Sequence, residues 1–269
     1  MLPQHQMIER VRALCHSDAR LDAAMMYGSF TRGEGDAFSD IEFLLFFDDE
    51  GFASVDPRAW LSQIAPVEML YANEFGITVV IFGNLIRGEF HFHRLAELEG
   101  VAAPWPGVIT FPSLDATLIA DKSGRLARLL EPIIGPPLEQ ATPPKVQFTV
   151  YGYLNWLLFG ISVLRRGEYA RAHEILNIVH RHLLWMARAL EGTTDNWLTP
   201  SKSLERDLSP EAYARLRGCT APLDPDALRG AYAACWRWGG ELAATLRDRY
   251  AIDYPAALWE RIGGALEQD

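Results

Sequence analysis

The chain has 269 residues and a net charge of -10, from 25 Lys and Arg against 35 Asp and Glu. That balance, with no basic stripe, argues against a nucleic-acid binder, which needs clustered positive charge for phosphates. With 49% apolar and 22% charged residues, the chain is neither disordered nor fibrous, and it is long enough for one large or two modest domains with a sizeable core. Cys15, Cys219 and Cys235 are far apart, odd in number and lack CxxC spacing, so they read as buried free thiols of a cytoplasmic protein. The start is polar and charged through Arg20, which gives no sign of a secretory leader. The longest apolar stretch, 148–164, contains Asn155, two Gly and two Tyr. It falls short of the roughly 20 residues of a membrane span and reads as a buried core helix.

Residues 4–16 place Met7, Ile8, Val11 and Leu14 at helical spacing. DAAMMY (22–27) predicts a short buried strand, and Gly28 to Gly35 a turn. DIEFLLFF (40–47) predicts a second strand, followed by a helix over 58–64. Strands are expected over 68–71, 77–82 and 87–93, and a last one at ATLIA (116–120), after which Ser123 opens a helix through Leu130. EPIIGPPLEQATPP (131–144) holds five prolines, which suit neither a helix interior nor a central strand. A domain boundary is expected there, between 1–135 and 136–269. Beyond it strand signals stop, and 145–166, 168–191, 201–218 and 224–249 carry helical periodicity. The fold class expected is α+β: an N-terminal domain with a mixed β-sheet and flanking helices, then a C-terminal helical bundle.

The chemistry concentrates between Gly28 and Phe43. Gly28 lacks the Cβ that would keep a phosphate from the backbone, and Ser29 adds a hydroxyl beside successive N–H groups. Asp40 and Glu42 stand two apart in the next strand, so they share a face while Ile41 and Phe43 point to the core. Two carboxylates beside an anion cradle form a hard-oxygen site suited to Mg²⁺. A Gly-Ser pair or a DxE alone is a weak signal; both, in this order and spacing, are specific.

An apolar-Gly-Ser, about ten residues, then Asp-apolar-Glu-apolar resembles the polymerase-beta-like nucleotidyltransferase superfamily. MMYGSFTRGEGDAFSDIEF is most similar to the lincosamide nucleotidyltransferases, within the antibiotic nucleotidyltransferases. VVIFGNLIRGEFHF, VLRRGEYAR and DNWLTPSKSLE extend the resemblance over nearly the whole chain. It implies transfer of a nucleoside monophosphate from ATP or another nucleoside triphosphate to a hydroxyl of lincomycin or clindamycin, with one or two Mg²⁺ ions and release of pyrophosphate. It also suggests a homodimer.

The resemblance implies a third carboxylate in a later strand, the general base. Glu89 in GEFHF fits, sharing a face with His91 and His93, and Glu74 is the runner-up. His91 and His93 are expected beside the acceptor rather than on Mg²⁺, which prefers oxygen. Arg32, in the turn, is a candidate for the phosphates; Arg87 fits either the phosphates or a solvated surface. In the resemblance a lysine of the helical half contacts the triphosphate, and Lys202 is nominated, in a loop where Ser201 is expected to cap a helix. The acceptor is then expected in a cleft between the halves, walled partly by aromatics. Two other readings remain. One is an aminoglycoside adenylyltransferase, whose polycationic acceptor suits an acidic chain. The other is a toxin-antitoxin type protein of the same fold that acts on a partner protein.

Overall fold

The computed structural model describes residues 1–267. The fold is α+β, in two compact units, Met1–Leu138 and Glu139 onward. The first unit runs α1 (Pro3–Ser17), β1 (Leu21–Tyr27), β2 (Ile41–Phe47), α2 (Asp49–Ser54), α3 (Pro57–Leu61), β3 (Val67–Ala72), β4 (Thr78–Phe82), β5 (Arg87–Arg94), α4 (Leu98–Ala102), α5 (Leu114–Thr117), β6 (Leu118–Asp121) and α6 (Arg125–Leu130). Its six strands lie in the order β3-β4-β5-β2-β1-β6. Only β2 and β5 run parallel; the other neighbours are antiparallel.

The central strand β2 is almost continuously apolar because both sheet faces are covered. On one face Phe43, Leu45, Phe47 and Phe90 pack with Met7, Val11 and Trp60. Phe43 stacks on Phe90 at 5.2 Å between ring centroids, a contact worth about 0.5–1.5 kcal/mol beyond its buried area. On the other face Met25, Leu44 and Phe46 pack with Leu98, Phe111, Leu126 and Leu130. Within β2 only Glu42 is not fully buried.

Local chemistry shifts several expected boundaries. Asp40 lies just outside β2. The expected strand 116–120 starts at Leu118, because the Ser113 hydroxyl accepts from the Ala116 N–H and closes a helical turn over α5. Ser123 does not open α6: its hydroxyl donates to Asp22, and Gly124, at φ +69°, precedes the helix. The short helix α2, unforeseen, is capped by the Asp48 side chain on the Gly51 N–H.

The second unit is helical: α7 (Pro143–Arg165), α8 (Tyr169–Glu191), α9 (Leu204–Asp207), α10 (Pro210–Gly218), α11 (Pro225–Tyr250) and α12 (Ala256–Glu267). Pro143 and Pro144 do sit in a helix, but in its first turn, where a missing N–H costs nothing. The core of α7, α8 and α11 includes Tyr153, Leu157, Leu183, Tyr232 and Cys235. Buried Tyr153 and Tyr232 donate to the carbonyls of Cys235 and Ala172 at 2.6 and 2.7 Å. The apolar stretch 148–164 is only half core: Phe148, Tyr151 and Leu158 are exposed on the outer side of α7. The expected helix 201–218 splits into α9 and α10, because Ser209 caps the Ala212 N–H and Pro210 begins α10. Ser201 lies in a turn and caps no helix. The three cysteines are free and buried. Among the described residues no helix is long and apolar enough to cross a membrane.

Candidate active site

The end of β1 turns sharply at Gly28, whose φ is +82°. A Cβ there would lie 1.5 Å from Glu42 Oε2, so glycine satisfies both the backbone angle and the room the carboxylate needs. The turn is held by the Thr31 hydroxyl, donating to the Gly28 carbonyl at 2.7 Å, and by the N–H groups of Arg32 and Glu34 on the Ser29 carbonyl. Ser29 Oγ is buried and has no hydrogen-bond partner among the described residues. A buried hydroxyl left unpaired is costly, and a phosphate oxygen would satisfy it.

Strand pairing assembles the rest in rows. Glu42 faces Tyr27 on β1 and Glu89 on β5; one row earlier Ile41 pairs with Gly88, which sets Asp40 beside Arg87. The Arg87 guanidinium donates to Asp40 Oδ2 at 2.6 Å and also to Glu89. The Tyr27 hydroxyl donates to Glu89 Oε2 at 3.3 Å and lies 2.9 Å from His91 Nε2, which then donates back to it. His93 stacks on His91 and on Phe46 and lies 3.5 Å from Glu97. A cavity of about 460 Å³ opens beside the Asp40–Arg87 pair, lined also by Gln4, Phe38, Asn84 and Leu85.

The row is electrostatically crowded. Burial, and then the charges of Asp40 and Glu89, push the Glu42 carboxyl up to about 7, against the opposing pull of Arg32 and Arg87. Burial also raises the Tyr27 phenol, reinforced by Glu42 and Glu89, so Tyr27 keeps its proton. His91 is lowered by burial and by His93, and His93 by burial despite Glu97, which keeps both imidazoles neutral near pH 7.

Among the expected site residues, Gly28, Ser29, Asp40, Glu42, Glu89 and His91 therefore meet on one sheet face. Arg32 is exposed and pairs with Glu34 at 3.3 Å. Glu74 is exposed at the β3–β4 turn. Lys202 belongs to the helical unit, in a turn before α9. Tyr27, and the bridging role of Arg87, are additions of the structure. Tyr27 closes an apolar run, and its hydroxyl finds Glu89 only through strand pairing.

Among the described residues no group of three or more His, Cys, Asp or Glu side chains is arranged to hold a metal ion. Arg87 stands between Asp40 and Glu89 instead. The donor set nevertheless fits Mg²⁺. Asp40 and Glu42 would hold the ion with hard oxygens, and burial, then the charges of Asp40 and Glu89, raises Glu42, which a cation would counter.

In this chain a mixed sheet carries carboxylates beside a Gly-Ser turn, and a helical unit follows it in sequence. The family model described as "Lincosamide nucleotidyltransferase-like, C-terminal domain" matches residues 142–263. That match supports a nucleotidyltransferase of the antibiotic-modifying group. No curated protein matches the chain. Among solved structures, an aminoglycoside 6-adenyltransferase from Bacillus subtilis is similar over 99% of this chain and 98% of its own, at 16% identity and a TM-score of 0.46. A nucleotidyltransferase-like protein from Exiguobacterium sibiricum 255-15 is similar over 91% of this chain and 78% of its own, at 14% identity and a TM-score of 0.42.

Proposed function

We propose that the chain transfers a nucleoside monophosphate, AMP from ATP in the first instance, to a hydroxyl of a lincosamide such as lincomycin or clindamycin, releasing pyrophosphate and inactivating the drug. The observation that carries this reading is the row Tyr27–Glu42–Glu89, set beside the Gly28–Ser29 turn. The match of residues 142–263 to the lincosamide-type domain supports the acceptor class.

Asp40 and Glu42 would hold one or two Mg²⁺ ions, which when bound neutralise triphosphate charge and favour departure of pyrophosphate. Gly28 lets the backbone approach the phosphates, and the unpartnered Ser29 hydroxyl bonds one of their oxygens. Arg32 adds positive charge to them. Glu89 takes the proton from the acceptor hydroxyl, held for the task by Tyr27. The acceptor oxygen forms its bond to the α-phosphorus as the bond to the bridging oxygen breaks, and that electron pair leaves with pyrophosphate. His91 and His93 border the acceptor, and no covalent enzyme intermediate is needed. A homodimeric, cytoplasmic enzyme goes with this reading.

A second acceptor class, the aminoglycosides, is favoured by the carboxylate-rich site, which would attract a polycation. One experiment separates the two. Purified protein is incubated with ATP, Mg²⁺, clindamycin and kanamycin, and the products are weighed by mass spectrometry. An AMP adduct on clindamycin alone is expected. An adduct on kanamycin would keep the chemistry and change the acceptor. No adduct on either drug with any nucleoside triphosphate would overturn the reading and favour a protein target.

A further inference from the structure

We propose that Arg87 is a built-in counter-ion of the carboxylate site, one that keeps a bare divalent cation off Asp40 and yields only when the ion arrives with a nucleotide. The inference rests on the reading of Asp40 and Glu42 as metal ligands. The parallel register of β2 and β5 places Glu89 beside Glu42 and, two positions earlier on the same face, Arg87 beside Asp40. From there one planar guanidinium reaches two carboxylates at once, donating to Asp40 Oδ2 at 2.6 Å and to Glu89. An ion that binds Asp40 must share the carboxylate with Arg87 and sit close to its positive charge.

The contacts that hold the Arg87 side chain are those to Asp40 and Glu89. Its side chain is 45% exposed. It can therefore leave Asp40 once another anion is offered. A triphosphate supplies that anion, and its oxygens are also the partner that Ser29 Oγ lacks among the described residues. Ion and nucleotide each ease the binding of the other, which is positive coupling between two ligands. Arg87 acts through Asp40 and Glu89 and is a positioning residue of the site.

The test measures Mn²⁺ binding to the full chain by electron paramagnetic resonance, with and without ATP. It compares the native protein with Arg87→Met, Arg87→Gln, Arg87→Lys and Asp40→Asn, each checked for an unchanged melting temperature. The two uncharged variants are expected to bind Mn²⁺ alone about tenfold more tightly, within the usual span of coupling between two ligands. In them ATP should improve Mn²⁺ affinity by a correspondingly smaller factor, while Arg87→Lys stays close to the native protein. If Arg87→Met and Arg87→Gln leave Mn²⁺ affinity unchanged while Asp40→Asn weakens Mn²⁺ binding in the presence of ATP, the counter-ion role is wrong and the metal site stands. If Asp40→Asn also changes nothing, the metal site falls and the inference with it.

Discussion

On the sheet, Asp40, Glu42 and Glu89 crowd together, and Arg87 donates to Asp40 and Glu89, while at Glu42 burial and repulsion outweigh the pull of Arg32 and Arg87. In the helical unit the proportions are reversed. Arg188, with no exposed surface, is surrounded by acceptors. Its guanidinium donates to the carbonyls of Pro200, Thr193 and Lys202 and to Asp207 Oδ2, at 2.8, 2.7, 2.5 and 3.1 Å. Burying a charge is tolerable only when its hydrogen-bonding capacity is met. Arg188 meets that condition and ties the 193–207 segment to α8. The sheet site does not, and its unmet charge is what a cation and a triphosphate would relieve. Satisfied polarity marks where the chain holds itself together; unsatisfied polarity marks where it acts on something else.

If that division is right, substitutions should fail in different currencies. The largest effect is expected at the sheet. Glu89→Gln should lower kcat by about 10²–10⁴-fold, the range typical of a lost general base. KM for ATP and the melting temperature should change little, because the strand core under Glu89 is untouched. Steady-state kinetics with thermal melts would check this, and a kcat within a factor of a few of native would remove Glu89 from the chemistry. Arg188→Met should do the opposite. It strands three backbone carbonyls and takes the buried cation from Asp207, which keeps Asn196 and Arg206, a loss of about 3–5 kcal/mol by analogy with broken buried pairs. Urea unfolding followed by circular dichroism would measure it. A variant as stable as the native chain would show that the loop finds its partners elsewhere.

The comparison also explains what the sequence discloses. Gly28, Ser29, Asp40 and Glu42 are legible because their relation is local: a turn, then alternation along one strand. Glu89 is legible as an alternating acid, but its row beside Glu42 depends on the parallel pairing of β2 with β5, a contact across distant segments. The same pairing turns Arg87 onto Asp40, where its spacing alone leaves phosphate and solvent as equal destinations. Tyr27 ends DAAMMY, and nothing local turns its hydroxyl toward Glu89. Arg188 reads as one more charged residue on a long helix; it is buried only because the chain returns over it at Pro200 and Lys202. Local signals competed in two places. Helical periodicity over 201–218 outweighed the Ser209-Pro210 start signal, and the β-like ATLIA outweighed the cap at Ser113.

The smallest effect is a pH signature of the satisfied site. Burial alone would raise the Asp207 carboxyl, but hydrogen bonds from Arg188, Asn196 and Arg206 outweigh it and hold it below its ordinary value of 3.8. Between that value and the lower folded one, the unfolded chain binds a proton that the folded chain refuses. Stability therefore rises with pH across this window. The contribution of Asp207 is complete above about 3.8 and lost as pH falls through the folded value. Asp207→Asn should be less stable than the native chain at pH 6, and the gap should close as the pH is lowered below 4. Melting curves of both proteins from pH 6 to pH 3 would test it. A gap that stays constant over that range would mean that the carboxylate's charge contributes nothing and that only the geometry of its contact with Arg188 matters.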